Sequence, residues 1–452
     1  MGVRRNLRAI STTLLVGALV LIPASPSAAD DVRDAQWPLR TLKAESLWSE
    51  SRGAGQVVAV IDDGVKADHP DLKGSILTGK DFVDGGDPDP EAGDSHGTGI
   101  ASVIAGHGHG PDGADGVMGL APEAKILPIR DQGYGNDGYA ESIRYAVDHG
   151  ATVINISQKQ DRALAPHKES EAIAYALQHG IPVVAGTGND GGEVGYPAAY
   201  DGVVAVSGTN EQGSFWSGSN RGEQTLLSAP AVDVVNAASP EDLNGYGIGT
   251  GTSASTAYVS ASVALLKAKF PDLTAGQIVN RLTETARLPA SAEGGEVPDE
   301  QYGYGVIRPL EALRADVPKG SEYGPLSVPR ATKDKQRAEE KRAEGARLQK
   351  QADRKAFIAW SVIGVMGLLL IALIVFLVVR RRRKRNRSGW PGGGPGGTGG
   401  PAHPYPMPGQ AQAPPYGAAG PYGAPPQPQH GPYGTPPPQG YPATPPQQPP
   451  QR

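Results

Sequence analysis

The 452-residue chain carries 47 acidic and 42 basic side chains, for a net charge of −5, and it has no cysteine. Disulfides and thiolate metal sites are therefore excluded, and cysteine usage says nothing about redox compartment. The charge is segregated: residues 30–315 hold 40 acids against 20 bases and residues 316–452 hold 7 against 19, so an acidic globular part precedes a basic stem, and no nucleic-acid partner is expected.

Arg4, Arg5 and Arg8 precede the apolar run Leu14–Ile22, and Ser27-Ala28-Ala29 supplies small residues for cleavage. Residues 1–29 thus read as a secretory signal peptide. The extension at 30–55 holds Trp37, Leu39, Leu42, Leu47 and Trp48. That is enough apolar surface to strap onto a core, in a segment too short to fold alone. Within residues 56–315, β-branched runs at 57–61, 125–129, 152–157, 182–186 and 203–208 alternate with helical patterns at 97–106, 138–149, 168–179 and 253–269. The alternation predicts βαβ units, an α/β fold in which helices cover both faces of a mostly parallel sheet.

Residues 316–355 read as a charged linker and stalk, loose to Pro329 and then helical or disordered. Residues 356–379 are 24 uncharged positions, against the roughly 20 that cross a bilayer. The cluster Arg380–Arg387 that follows is a stop-transfer signal. One plasma-membrane span is expected, with the folded part extracellular. The remainder to Arg452, rich in Pro, Gly, Gln and Tyr with PYG at 415, 421 and 432, predicts a disordered cytoplasmic tail.

Four residues stand where acyl-transfer chemistry would need them. Ser253 follows glycines 247, 249 and 251 and opens a helical pattern, where unpaired N–H groups and the helix dipole favour developing negative charge. Asp62 closes the first strand, His96 precedes a small-residue helix, and Asn189 stands at the exit of the run at 182–186. Singly, such residues are more often caps, turn residues or surface groups.

Taken together, VIDDG, HGTGIAS, VINIS, GTGND, GYPAAY, GTS and YGYGVI run in order across residues 56–312. They resemble the subtilisin-like serine peptidases, whose chain order is Asp…His…Ser. The resemblance implies a subtilisin-like three-layer fold and a protein or peptide substrate. It makes Ser253 the nucleophile, His96 its base, Asp62 the orienting carboxylate and Asn189 an oxyanion donor, with no metal or cofactor required. It also implies a cleft lined by Ser157, Gln158, Lys159, Ala185, Gly186, Thr187, Gly188 and Ala198, suited to an uncharged P1 group of moderate size.

The chain departs from that pattern in places. Gln158-Lys159-Gln160 replaces the family's Leu-Gly-Gly, and these long side chains are expected to obstruct the non-primed cleft and restrict the peptidase. Asp63 replaces a small hydroxyl residue and is expected to raise the His96 pKa. Ala254, Ser255 and Ala257 replace Met, Ala and Pro at packing positions. The acidic loop Asp81–Asp94 lacks the spacing of a defined calcium loop and reads as a solvated lid. The stretch QWPL…LW and the single C-terminal span resemble the mycosins, membrane-anchored subtilisin-like proteases of type VII secretion systems. Implied partners are components of the secretion complex, and implied substrates are its exported proteins. The alternative is a structural part of that complex in which catalysis is secondary.

Overall fold

The computed structural model describes residues 32–163, 165–237 and 245–385. The signal peptide expected at 1–29 and the tail expected beyond 385 lie outside the described residues. The chain opens with α1 (Trp37–Thr41), α2 (Ala44–Trp48), β1 (Val57–Asp62), β2 (Lys80–Asp81) and α3 (His96–Ala105). A hairpin, β3 (His107–His109) and β4 (Asp115–Met118), leads to β5 (Lys125–Arg130), α4 (Ala140–Asp148) and β6 (Val153–Ile156). Next come α5 (Pro166–Gln178), β7 (Val183–Gly186), β8 (Val203–Thr209) and β9 (Thr225–Pro230). A second hairpin, β10 (Val234–Ala237) and β11 (Tyr246–Gly249), precedes α6 (Thr252–Lys269), α7 (Ala275–Thr285), α8 (Pro309–Arg314) and α9 (Arg330–Arg385).

The main sheet has seven strands in the order β2-β5-β1-β6-β7-β8-β9, all paired in parallel. Its central strands are buried on both faces, which is why they read as unbroken Val/Ile runs. Helices α3 and α6 pack together on one side, and α4 and α5 pack together as the crossovers from β5 to β6 and β6 to β7. This is the three-layer subtilisin-like fold expected from the sequence.

Helix α6 is buried almost all round rather than along one stripe. Small residues let it lie close to the sheet, and its inward hydroxyls are satisfied locally. Ser260 donates to Asn155 Oδ1 (2.9 Å) and Ser255 to Ala229 O (2.9 Å).

The extension at 32–55 straps onto this core. Leu39, Leu42 and Leu47 are buried, and the indoles of Trp37 and Trp48 donate to Val232 O (3.0 Å) and Leu120 O (2.9 Å). Residues 316–329, expected to be loose, run instead along α7. Thr274, Asn280 and Arg281 donate to the carbonyls of Glu322, Pro318 and Ala315, and Leu326 is buried. Gly276 permits this contact, since a Cβ there would lie 2.1 Å from the Tyr323 backbone. The described residues up to Ser361 form one compact unit and those from Val362 a second. The described part of the second is an exposed helical stretch, apolar to Val379 and basic from there to Arg385.

Candidate active site

Strand order reverses at β1, between the excursion to β2 and β5 and the return to β6, and open parallel sheets bind ligands beyond the carboxyl ends of strands at such a point. Asp62 is the last residue of β1. Its side chain is fully buried, and Oδ1 accepts from His96 Nδ1 at 2.7 Å and from Asp63 N at 2.8 Å. His96 opens α3 and keeps its ring about half exposed (45%). Gly97 allows the approach: a Cβ there would lie 2.2 Å from Gly64 O and 3.0 Å from Asp62 Cβ. Any larger residue would push the imidazole off its carboxylate.

Asp63 caps α3, its Oδ1 accepting from Gly97 N (2.7 Å) and its Oδ2 from His96 N (3.1 Å). Burial first, and then the charge of Asp62, push its pKa up to about 6. The imidazole of His96 is also raised, chiefly by the charge of Asp62 with a smaller contribution from Asp63, while burial opposes. The direction expected for Asp63 is therefore found, but Asp62 dominates.

Ser253 is the second residue of α6. Its Oγ donates to Ser157 O at 3.0 Å, and Ser157 Oγ returns a bond to Ser253 O at 3.1 Å. Asn189 is oriented by Thr252, whose N–H and hydroxyl donate to Asn189 Oδ1 at 2.8 and 2.9 Å. With its oxygen held there, the amide nitrogen is left to donate elsewhere. His96, Asn189, Gly251 and Ser253 all line one cleft of about 650 Å³. Its far wall is Tyr246 to Gly249, the strand β11 that the sequence reading missed because alternating glycines hide its pattern, continued by Thr250.

The remaining predicted cleft residues divide. Ala185 and Gly186 belong to β7, and a Cβ on Gly186 would meet Thr252 Oγ1 at 2.8 Å, so they back the site from within the core. Thr187 is buried and donates to Asn220 O (2.9 Å), and Ala198 is buried as well. Gln158 Oε1 accepts from Tyr139 (2.9 Å) and Gln160 Nε2 donates to Gly133 O (2.6 Å). Both thus turn away toward the 132–139 loop, because side chains alternate along this extended stretch. Of the three long side chains expected to obstruct the cleft, only Lys159 remains, lying over Gly188.

The acidic loop is not solvated throughout. Arg130 Nη1 donates to Asp81 Oδ2 and Asp84 Oδ2, each at 2.8 Å, and Nη2 to Glu91. Asp81 and Arg130 are both buried. The clamped loop packs on Gly64, where a Cβ would lie 2.6 Å from Pro90 N. Spacing within the loop gave no hint of this, since its cation comes from β5.

Residues 53–305, more than half of the chain, match the peptidase S8 subtilase family. The chain belongs to the subtilase family of serine peptidases. Mycosin-1 of Mycobacterium tuberculosis is 34% identical to this subtilase, over 66% of this chain and 77% of that one. Fervidolysin of Fervidobacterium pennivorans is 32% identical over 64% of the chain, which spans only 45% of fervidolysin, about half its length. Among solved structures, MycP1 from the ESX-1 type VII secretion system superposes with a TM-score of 0.55 at 30% identity, covering 64% of this subtilase and 88% of that chain.

Proposed function

We propose that this subtilase is a serine endopeptidase tethered to the plasma membrane through residues 356–379, with its folded part outside, and that it processes proteins exported by a type VII secretion system. The observation that carries the catalytic reading is the 2.7 Å contact of His96 Nδ1 with buried Asp62, facing the cleft that Ser253 and Asn189 also line.

In the reaction, rotation of the Ser253 side chain takes Oγ from Ser157 O onto His96 Nε2, which accepts its proton as Oγ attacks the scissile carbonyl. Asp62 holds the Nδ1–H tautomer and stabilises the imidazolium. The negative oxygen is received by Asn189 Nδ2 and the Ser253 N–H at the start of α6. His96 then protonates the leaving amine, and water repeats the sequence on the acyl-enzyme.

The tether is supported by the long apolar stretch within α9, uncharged from Ala356 to Val379, and its orientation by the basic cluster that follows. The secretion role is supported by likeness to mycosin-1 and to MycP1 of the ESX-1 system. Ser253→Ala should abolish both labelling by a fluorophosphonate and cleavage of exported proteins. Secretion that survives this substitution but stops on deletion of the whole protein would transfer the role to scaffolding. Labelling that survives it would remove Ser253 from the chemistry.

A further inference from the structure

Lys159 lies over Gly188, the residue before Asn189. The cleft that holds His96 and Ser253 does not include this lysine. A second cleft of about 890 Å³ does, together with Asp190, Glu193, Arg221 and Glu223. In the reaction proposed above, on which this inference rests, His96 must reach the leaving amine, so the departing half of the substrate lies in the His96 cleft. The acyl half, with the P1 side chain at the attacked carbonyl, leaves Ser253 toward Ser157 and Gly188.

That space is taken. The bridge between Gln160 and Tyr196, with N···O distances of 2.8 Å in both directions, holds residues 157–160 beside 195–196. The stem of Lys159 fills the gap, so that a Cβ on Gly195 would lie 2.3 Å from Lys159 Cγ and one on Gly188 2.9 Å from Lys159 Cδ. The ammonium is fixed at the far end by Asp190 Oδ2 (2.9 Å) and by Asp161. The side chain is 21% exposed, low for a lysine, and its two partners are 61% and 87% exposed.

We propose that Lys159 is the specificity-determining residue of this peptidase: its stem occupies the P1 pocket and its ammonium occupies Asp190, so that only small P1 side chains are accepted. Shape excludes leucine or phenylalanine. Charge excludes lysine or arginine, because the carboxylate that would receive them already has a cation. Removing Lys159 would open the pocket into the second cleft and leave the Asp190 carboxylate without its cation.

The test uses the full-length protein in detergent and fluorogenic peptides differing only at P1 (Ala, Phe or Lys), with Ser253→Ala as the blank. The natural protein should favour Ala over Phe and Lys by about tenfold or more. Lys159→Ala should raise kcat/KM for P1 Lys relative to P1 Ala by about tenfold or more, and P1 Phe with it. Lys159→Gly, which likewise removes both the stem and the charge, should admit P1 Lys and Phe in the same way. It also keeps the test open if the alanine variant folds poorly. An unchanged P1 ranking in both variants, with cleavage still dependent on Ser253, overturns the assignment of Lys159 alone. No Ser253-dependent cleavage of any peptide overturns the peptidase reading and this one with it.

Discussion

Replacing Asp63 by asparagine probes the electrostatics of the site from two directions at once. The Asp63 carboxyl is buried, and its pKa rises from 3.8 to about 6 through burial and then through the charge of Asp62. A carboxyl raised in the folded state is held in its proton-bound form more tightly by the folded chain than by the unfolded one. Its contribution to stability is therefore unfavourable and grows as pH rises through the window from 3.8 to about 6. At ~1.4 kcal/mol per unit, the penalty is about 1.5 kcal/mol at pH 5 and about 3 kcal/mol at pH 8. Asparagine removes the penalty and keeps an acceptor for Gly97 N, but it turns an amide donor toward His96 N, a loss of about 1 kcal/mol. Asp63→Asn should therefore be more stable than the natural protein by about 2 kcal/mol at pH 8 and by only about 0.5 kcal/mol at pH 5. The same change deletes a negative charge that raises His96. In the proposed reaction His96 works as neutral imidazole, so the acid limb of kcat/KM should move to lower pH, by about half a unit to one unit for one charge in partly solvated surroundings. Urea denaturation at the two pH values and a pH profile on a fluorogenic peptide measure both effects. Equal stability changes at pH 5 and pH 8, or an acid limb that moves upward, would refute the reasoning.

Asn189→Leu should lower kcat by about 10²–10³ with a much smaller change in KM, because in the proposed reaction the lost donor acts on the tetrahedral oxyanion rather than on the bound peptide; steady-state kinetics over a range of substrate concentrations separates the two. Arg130→Met leaves the buried Asp81 carboxylate without its cation and should cost about 3–5 kcal/mol in urea denaturation, whereas a loss below about 1 kcal/mol would mean the clamp is dispensable.

The sheet was legible in the sequence wherever a strand is buried on both faces, because β1, β5, β6, β7 and β8 then have to be Val/Ile runs. Strand β9 was missed, since TLLSAP has a single β-branched residue and ends in proline. The hairpin strands β3 and β11 were missed because HGH has no apolar side chain and the glycines of YGIG mask its alternation. Helix α7 had a usable signal in Thr274 and Gln277, which form a reciprocal capping box, ahead of Ile278, Val279 and Leu282. The candidate catalytic residues were legible because each sits in a glycine-rich motif that the close approach of backbone to side chain demands. Their modifiers were not. Lys159 finds Asp190 across 31 positions and Arg130 finds Asp84 across 46, and no local spacing encodes either contact.

Why four residues scattered from 62 to 253 meet at all follows from strand order. Strands β1, β6 and β7 are successive neighbours in a parallel sheet, about 4.8 Å apart. Asp62 ends the first, Ser157 follows the second directly, and Asn189 lies three residues past the third, so all three leave the sheet along one edge. Helix α6 begins over that edge and brings Ser253 to Ser157 and Thr252 to Asn189. Only His96 comes from elsewhere, and its place depends on the packing of Gly97 against Gly64 O, with Asp63 capping the same turn. Ser253 and Asn189 are thus fixed by the rigid sheet and the buried helix, whereas His96, the base of the proposed reaction, hangs on one glycine contact and one cap. Substitutions around Gly64, Asp63 and Gly97 should accordingly disturb proton transfer before they disturb the fold.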